Sequence, residues 1–298
     1  MRFPRPSRGF LTGFSDASVA KVTEPEPPDL PFAQRPTETA PGHWVLARAG
    51  KRVLRPGGLG LTRALLSHCE LAGRQVVELA PGLGRTAKEI LAAGPASYTG
   101  VDRDPAAVRQ ARTVVAPFGG QVVEGQAGAT GLDDESADVV IGEAMLTMQS
   151  PRGKAEIVAE AVRVLRPGGS YAIHELGLTP DSIDPEIQTE VSRALARAIH
   201  VNARPLTRAQ WSSLLHEQGL VVEWTQTAPM ALLQFRRNLA DEGLGGVTRM
   251  LWNLLRQPDL RRRVLAMRST FRQYQDSMCG IALVARKPLP EKKGPADD

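Results

Sequence analysis

The chain has 298 residues, 42% of them hydrophobic, which is enough for a sizeable core in one large domain or two small ones. It lacks any run of about 18 apolar residues, and no apolar signal core follows the start MRFPRPSRGF, so neither a membrane span nor a secretory leader is supported and the expected location is the cytoplasm. A formal charge of +5 would suit an acidic partner, but only if the basic residues cluster. The two cysteines, Cys69 and Cys279, match no zinc or redox spacing, so buried reduced thiols are expected and no metal site.

Residues 1–40 are rich in proline and lack a sustained period, which reads as a mobile extension. A main domain is expected over 41–288 and a frayed acidic tail over 289–298. Two short helices, His43 to Arg52 and Gly60 to Leu71, flank the loop RPGG. The hexamer VLRPGG occurs at Val53 to Gly58 and again at Val164 to Gly169; its flanks differ, so both copies read as helix-stop punctuation rather than as a duplication.

From residue 74 short β-branched runs alternate with helical stretches, the pattern of a parallel sheet covered on both faces. The expected strands are RQVVELA (74–80), SYTGVD (97–102), QVVEGQ (121–126), ADVVIGEA (137–144) and GSYAIHEL (169–176). Helices are expected around 85–93, 105–116 and 151–165. Thr207 to Gly219 carries a Thr-x-x-Gln capping box and ends on glycine. It leads into a sixth strand, LVVEWTQTA, and SMCGIALVARK makes a seventh. Insertions at about 178–205 and 229–275 look helical and fall where connections from strand carboxyl ends overhang a ligand crevice, so they are expected to form a cap. Within the second, Leu244, Val247, Met250, Leu251, Leu254 and Leu255 recur at helical spacing and read as its packing face. In RRRVLAMRSTFR, Leu260, Val264, Met267, Phe271 and Tyr274 make an apolar stripe, and Arg261, Arg262, Arg268 and Arg272 lie off it on a solvated face.

The stretch ELAPGLG, Glu78 to Gly84, carries the chemistry. GLGRTA fits the glycine spacing of a dinucleotide loop, with Asp102 placed as a ribose-binding acid at the next strand end. Glu78 decides against a diphosphate, because a carboxylate beside the loop repels phosphate and attracts an ammonium group. S-adenosylmethionine offers a cationic amino-acid end, a ribose and no phosphate.

In order and spacing, VVELAPGLGRTA, YTGVDRDPAAV, LDDESADVVIGEAML and AVRVLRPGGSYAIHEL resemble the class I S-adenosylmethionine-dependent methyltransferases of the small-molecule type, over roughly residues 74–176. The resemblance implies an α/β, Rossmann-like seven-stranded sheet in the order 3-2-1-4-5-7-6, last strand antiparallel, with helices on both faces. It also assigns Glu78 and the backbone of Ala80, Gly82 and Gly84 to the methionine part of the cofactor and Asp102 to the ribose. Asp104 fits a helix cap better than a ribose ligand. Two positions depart from the family pattern. Ala80 replaces the first glycine, tolerable at negative φ, and Gln126 stands where an acid near the adenine is usual.

Methyl transfer from a sulfonium needs alignment more than a nucleophilic side chain. Where a base helps, Glu143 and His174 are the candidates, with Glu175 on the opposite face of its strand by alternation. His43 and Trp44 are placed to close over the cofactor, although core packing suits Trp44 better. The chain reads GEAMLTMQ after the fourth strand, without the asparagine-proline-proline-aromatic tetrad of many nucleic-acid and protein amino-methylating relatives, which disfavours a base-modifying enzyme. The expected acceptor is a small, partly apolar molecule. Two other readings stay open at this point: a nicotinamide-dinucleotide oxidoreductase using GLGRTA, and a nucleic-acid-binding module using the basic 261–272 helix.

Overall fold

The computed structural model describes residues 36–51, 55–230 and 235–290, and only the backbone of residues 43 and 235–244. The extension expected over 1–40 and the tail expected over 289–298 lie outside these residues except at their inner ends, as does the side chain of His43.

In chain order the elements are α1 (Gly42–Arg48), α2 (Gly58–Ser67), β1 (Gln75–Leu79), α3 (Arg85–Ala92), β2 (Ser97–Asp102), α4 (Pro105–Val115), β3 (Gln121–Glu124), β4 (Ala137–Glu143), α5 (Pro151–Val164), β5 (Leu165–Leu178), α6 (Pro185–Ile199), β6 (Leu206–Thr207), α7 (Arg208–Glu217), β7 (Val221–Pro229), α8 (Phe235–Arg256), α9 (Pro258–Gln273) and β8 (Met278–Arg286). Local chemistry sets many of these boundaries. Asp104, Ser150 and Asp184 each cap a helix whose first residue is proline, which fixes φ and has no N–H to leave unpaired. Thr207 and Gln210 close the expected capping box at the start of α7.

The strands form one sheet in the order β3-β2-β1-β4-β5-β8-β7, with the two-residue β6 beside β5. This is the expected 3-2-1-4-5-7-6 arrangement once β6 takes a number. Strands β1 to β5 pair in parallel, and β8 is antiparallel to both of its neighbours. β5 begins earlier than expected, at Leu165, because Leu165 pairs with Ala137 of β4; Gly168 N–H donates to Lys287 O, just past the end of β8.

Helices α2, α3 and α4 cover one face of the sheet, over Val76, Tyr98, Val139, Ile141 and Ala172. The other face buries Val77, Val101, Val140, Tyr171 and Ile173 beneath α5 and α7, with Trp211 wholly inside. A third apolar cluster joins α1, α6, α8 and α9 to Leu176, Leu178 and Met278, beyond the carboxyl end of β5. Of these helices, α6, α8 and α9 are the ones expected at 178–205 and 229–275, and α1 is the one expected from His43.

Two sequence readings change here. In the first VLRPGG copy the glycines lead into a helix rather than stop one, since Gly57 and Gly58 take positive φ and open α2, while Val53 and Leu54 lie outside the described residues. On α8, Val247 and Met250 face inward and Leu254 is half-buried, but Leu251 and Leu255 are 50% and 68% exposed. One helical step turns about 100°, so the column holding 247, 250 and 254 faces the core while Leu251 and Leu255 roll toward solvent. The side chain of Leu244 lies outside the described residues.

Candidate cofactor crevice

Glu78 and Asp102 end neighbouring parallel strands on the same sheet face, the face beneath α3. Glu78 lies opposite Gly100, and Tyr98 reaches across that glycine to donate its hydroxyl to Glu78 Oε2 at 2.6 Å. Burial, countered by the Tyr98 bond and reinforced by the nearby Glu143 carboxylate, pushes the Glu78 carboxyl up to about 8. Asp102 accepts from Gly82 N at 3.1 Å and Asp104 N at 3.0 Å, tying the glycine loop to the end of β2. Burial raises its pKa as well. Asp104 caps α4 through Ala106 N and Ala107 N, as its sequence context predicts.

The loop itself differs from expectation at Ala80, whose φ is +55° rather than negative. That left-handed conformation costs a non-glycine residue about 1–2 kcal/mol, and the cost is borne because Ala80 N–H donates to Val101 O and so locks the turn. The two glycines do different work. A Cβ on Gly82 would meet nothing nearer than Ala80 O at 3.9 Å, so this stretch of backbone is open to a ligand. A Cβ on Gly84 would press on Val114 at 3.1 Å, so that glycine lets α3 pack on α4. Gln126 follows β3 in an exposed turn closed by Ala129 N to Gln126 O at 3.0 Å.

Next to this pair, sequence reasoning missed a cation. Arg55, in the loop before α2, is buried, and its Nη1 donates both to Glu143 Oε2 and to Thr86 Oγ1 at the start of α3. Thr86 in turn donates to Glu143 Oε2, and Thr62 on α2 donates to Glu143 Oε1 at 2.7 Å. His174, opposite Glu143 in register, places Nδ1 2.8 Å from Oε1, and its Nε2 meets the Pro56 carbonyl. A carbonyl only accepts, so Nε2 carries a hydrogen. The loop can lie this close because β8 has Gly280 there; a Cβ would sit 2.7 Å from Gly57 N and from the Pro56 carbonyl carbon. Two acids at nearby strand ends, Glu78 and Glu143, call for a cation, and that demand was the available signal for Arg55.

The expectation of a general base at Glu143 or His174 therefore meets a different geometry. Burial would raise the Glu143 carboxyl, but Arg55, His174 and Thr86 outweigh it and hold the group at about 2. A carboxylate that accepts from Arg55, Thr86 and Thr62 is a poor proton acceptor. His174 is fully buried with both ring nitrogens engaged. Glu175 faces the other way, as alternation requires, and accepts from Met145 N, Leu146 N, Thr147 N and Thr147 Oγ1 in the turn after β4. Trp44 is buried in the core.

A cavity of about 120 Å³ lies at the opposite, amino end of β4, lined by Arg74, Asp138 and Arg166 among others. Arg166 is paired with Asp138 and Arg74 with Glu70, so the cavity offers no unmet charge.

The residues of the crevice suit an adenosyl amino acid. Each oxygen of Asp102 keeps a lone pair for a vicinal diol, Gly82 leaves backbone open, and the Glu78 carboxyl, which a cationic ligand would ionise, and the Arg55 guanidinium match the two ends of a zwitterion. Comparisons with known proteins agree. A methyltransferase-domain family model matches residues 76–169. An uncharacterised protein of Haemophilus influenzae is 32% identical over 251 residues, 83% of this chain and 98% of that one. The phthiotriol/phenolphthiotriol dimycocerosates methyltransferase of Mycobacterium tuberculosis is 35% identical over 120 residues, 40% of this chain and 43% of its own length, so the likeness spans less than half of that relative. Among solved structures, the [4+2]-cyclase SpnF superposes with a TM-score of 0.62 at 18% identity, covering 83% of this chain and 92% of that one. Haemonchus contortus phosphoethanolamine N-methyltransferase 2 gives 0.62 at 17% identity, covering 86% and 59%. The chain belongs to the class I S-adenosylmethionine-dependent methyltransferases, and the family's cofactor, S-adenosylmethionine, is its cofactor. The dinucleotide oxidoreductase reading of GLGRTA is thereby set aside.

Proposed function

We propose that this protein transfers the methyl group of S-adenosylmethionine to a small, partly apolar acceptor in the crevice at the carboxyl ends of β1, β2 and β4. The observation that carries the reading is the pair of acids on neighbouring strands, Glu78 and Asp102, with Asp102 bonded to the open backbone of Gly82. Asp102 holds the ribose hydroxyls, Glu78 the ammonium group, and Gln126, just beyond β3, borders the adenine. Arg55 supplies the positive charge that the cofactor's own carboxylate needs.

S-adenosylmethionine brings an activated methyl group, so the protein's task is alignment and exclusion of water. In this reading Glu143 and His174 act as a buried brace that positions Arg55 and the Pro56 carbonyl, and no side chain serves as a base. Helices α6, α8 and α9 form the cap over the crevice, and the core of the main domain spans 41–288. The mycobacterial relatives, named for phthiotriol and phenolphthiotriol dimycocerosates, support the apolar class of acceptor. A calorimetric titration with S-adenosylhomocysteine tests the cofactor site. Methyl transfer from labelled S-adenosylmethionine into apolar alcohols and amines tests the acceptor class, and transfer confined to polar acceptors would overturn it.

A further inference from the structure

Helices α8 and α9 turn Val247, Met250, Leu260, Val264, Met267 and Phe271 inward, which satisfies their packing. Among the described residues they nevertheless leave four large apolar side chains in solvent: Leu251, Trp252 (54% exposed), Leu255 and Leu265 (54% exposed). Leu251 and Leu255 stand one turn apart, and Trp252 and Arg256 do likewise, with the Arg256 guanidinium 4.3 Å over the Trp252 ring. Arg249, Arg256, Arg261, Arg262 and Arg272 are exposed among them. Residues 245–274 contain seven arginines and a single acid, Asp259, which pairs with Arg262. This one segment thus carries more positive charge than the +5 surplus of the whole chain.

Either feature alone is ordinary. On α8 the two coincide, Leu251, Trp252 and Leu255 lying within two helical turns of Arg249 and Arg256, and the Arg256 guanidinium covering the Trp252 ring. Phosphate chains of nucleic acid would meet the arginines but give Leu251, Leu255 and Leu265 nothing apolar to enter. A lipid surface accommodates both, with leucine entering the acyl boundary, tryptophan seated at headgroup level and arginine on anionic phosphate. We propose that the α8–α9 face docks on an anionic membrane surface. Asn253 Nδ2 donates to Arg48 O and Ala49 O, which ties the docking helix α8 to the end of α1. Docking depends on this face alone; its use in supplying a membrane-held apolar acceptor rests on the proposed methyl transfer.

The test is sedimentation of the full chain with vesicles of phosphatidylcholine alone and of phosphatidylcholine mixed with phosphatidylglycerol. The proposal predicts binding to the mixed vesicles only, weakened by salt. It also predicts that brominated lipid quenches tryptophan fluorescence. Leu251→Ser/Trp252→Ser/Leu255→Ser and, separately, Arg261→Ala/Arg262→Ala should each weaken binding by about tenfold or more, with S-adenosylhomocysteine affinity unchanged. Should the serine variant unfold, Arg249→Glu/Arg256→Glu serves in its place. The proposal is overturned by absence of vesicle binding, by full binding of the serine variant, by tighter binding to RNA than to vesicles, or by a wild-type dimer in light scattering that the serine variant converts to monomer.

Discussion

Tyr98 donates to Glu78 at 2.6 Å across Gly100, the residue that faces Glu78 on the next strand. A Cβ on Gly100 would lie 3.2 Å from the Tyr98 hydroxyl, so any side chain there would crowd the bond. With its carboxyl at about 8, Glu78 is mostly protonated near neutral pH. A cationic ligand favours the ionised form, so binding S-adenosylmethionine near neutral pH should release a proton, and affinity should rise with pH until about 8. Calorimetry in buffers of differing ionisation enthalpy reads this directly. Tyr98→Phe removes a bond that favours the charged carboxylate, so its affinity loss should be larger near neutral pH than well above 8.

Stability should respond in opposite senses to the two buried acids. Glu78 is raised above its ordinary 4.5, so its contribution is full below that value and lost as pH rises through about 8. Glu143 is lowered, so its contribution is present above 4.5 and lost as pH falls toward about 2. In thermal unfolding, Glu78→Gln should flatten the alkaline limb. Glu143→Gln should flatten the acid limb and, by leaving Arg55 without its counter-charge, cost about 3–5 kcal/mol near neutral pH.

Gly82→Ala and Gly84→Ala should separate binding from packing. The first adds strain of about 1–2 kcal/mol but meets only Ala80 O at 3.9 Å, so cofactor affinity should suffer far more than stability. The second adds the same strain and a 3.1 Å contact with Val114, so its main effect should be on stability. Ala80→Gly should raise stability by up to about 1 kcal/mol, because it relieves a positive φ. Denaturant unfolding alongside calorimetry measures both quantities.

Arg55→Ala should lower affinity for S-adenosylhomocysteine about tenfold or more and leave affinity for 5′-methylthioadenosine, which lacks the amino-acid end, unchanged. An equal loss for both would reduce Arg55 to a structural support of Glu143 and Thr86. Arg55→Lys, which keeps the charge, should restore part of the lost affinity.

The strands between residues 74 and 176 were legible because β-branched runs, capping pairs such as Asp104–Pro105 and the glycine loop all agree on one topology. Arg55 was hidden because it sits in a turn-like hexamer whose glycines read as punctuation, and its partners Thr86 and Glu143 are far along the chain. The conformation of Ala80 was equally hidden, since it is set by a hydrogen bond to a neighbouring strand rather than by local preference. On α8 the apolar spacing fits two adjacent columns, and tertiary packing alone decides which one is buried.

The most direct test of the account is a titration of the purified protein and its Asp102→Ala variant with S-adenosylhomocysteine. Saturable one-to-one binding is expected, weakened about thirtyfold or more in the variant by loss of the charged hydrogen bonds to the ribose. Equal affinity in the two proteins, or no binding by the wild type, would contradict it.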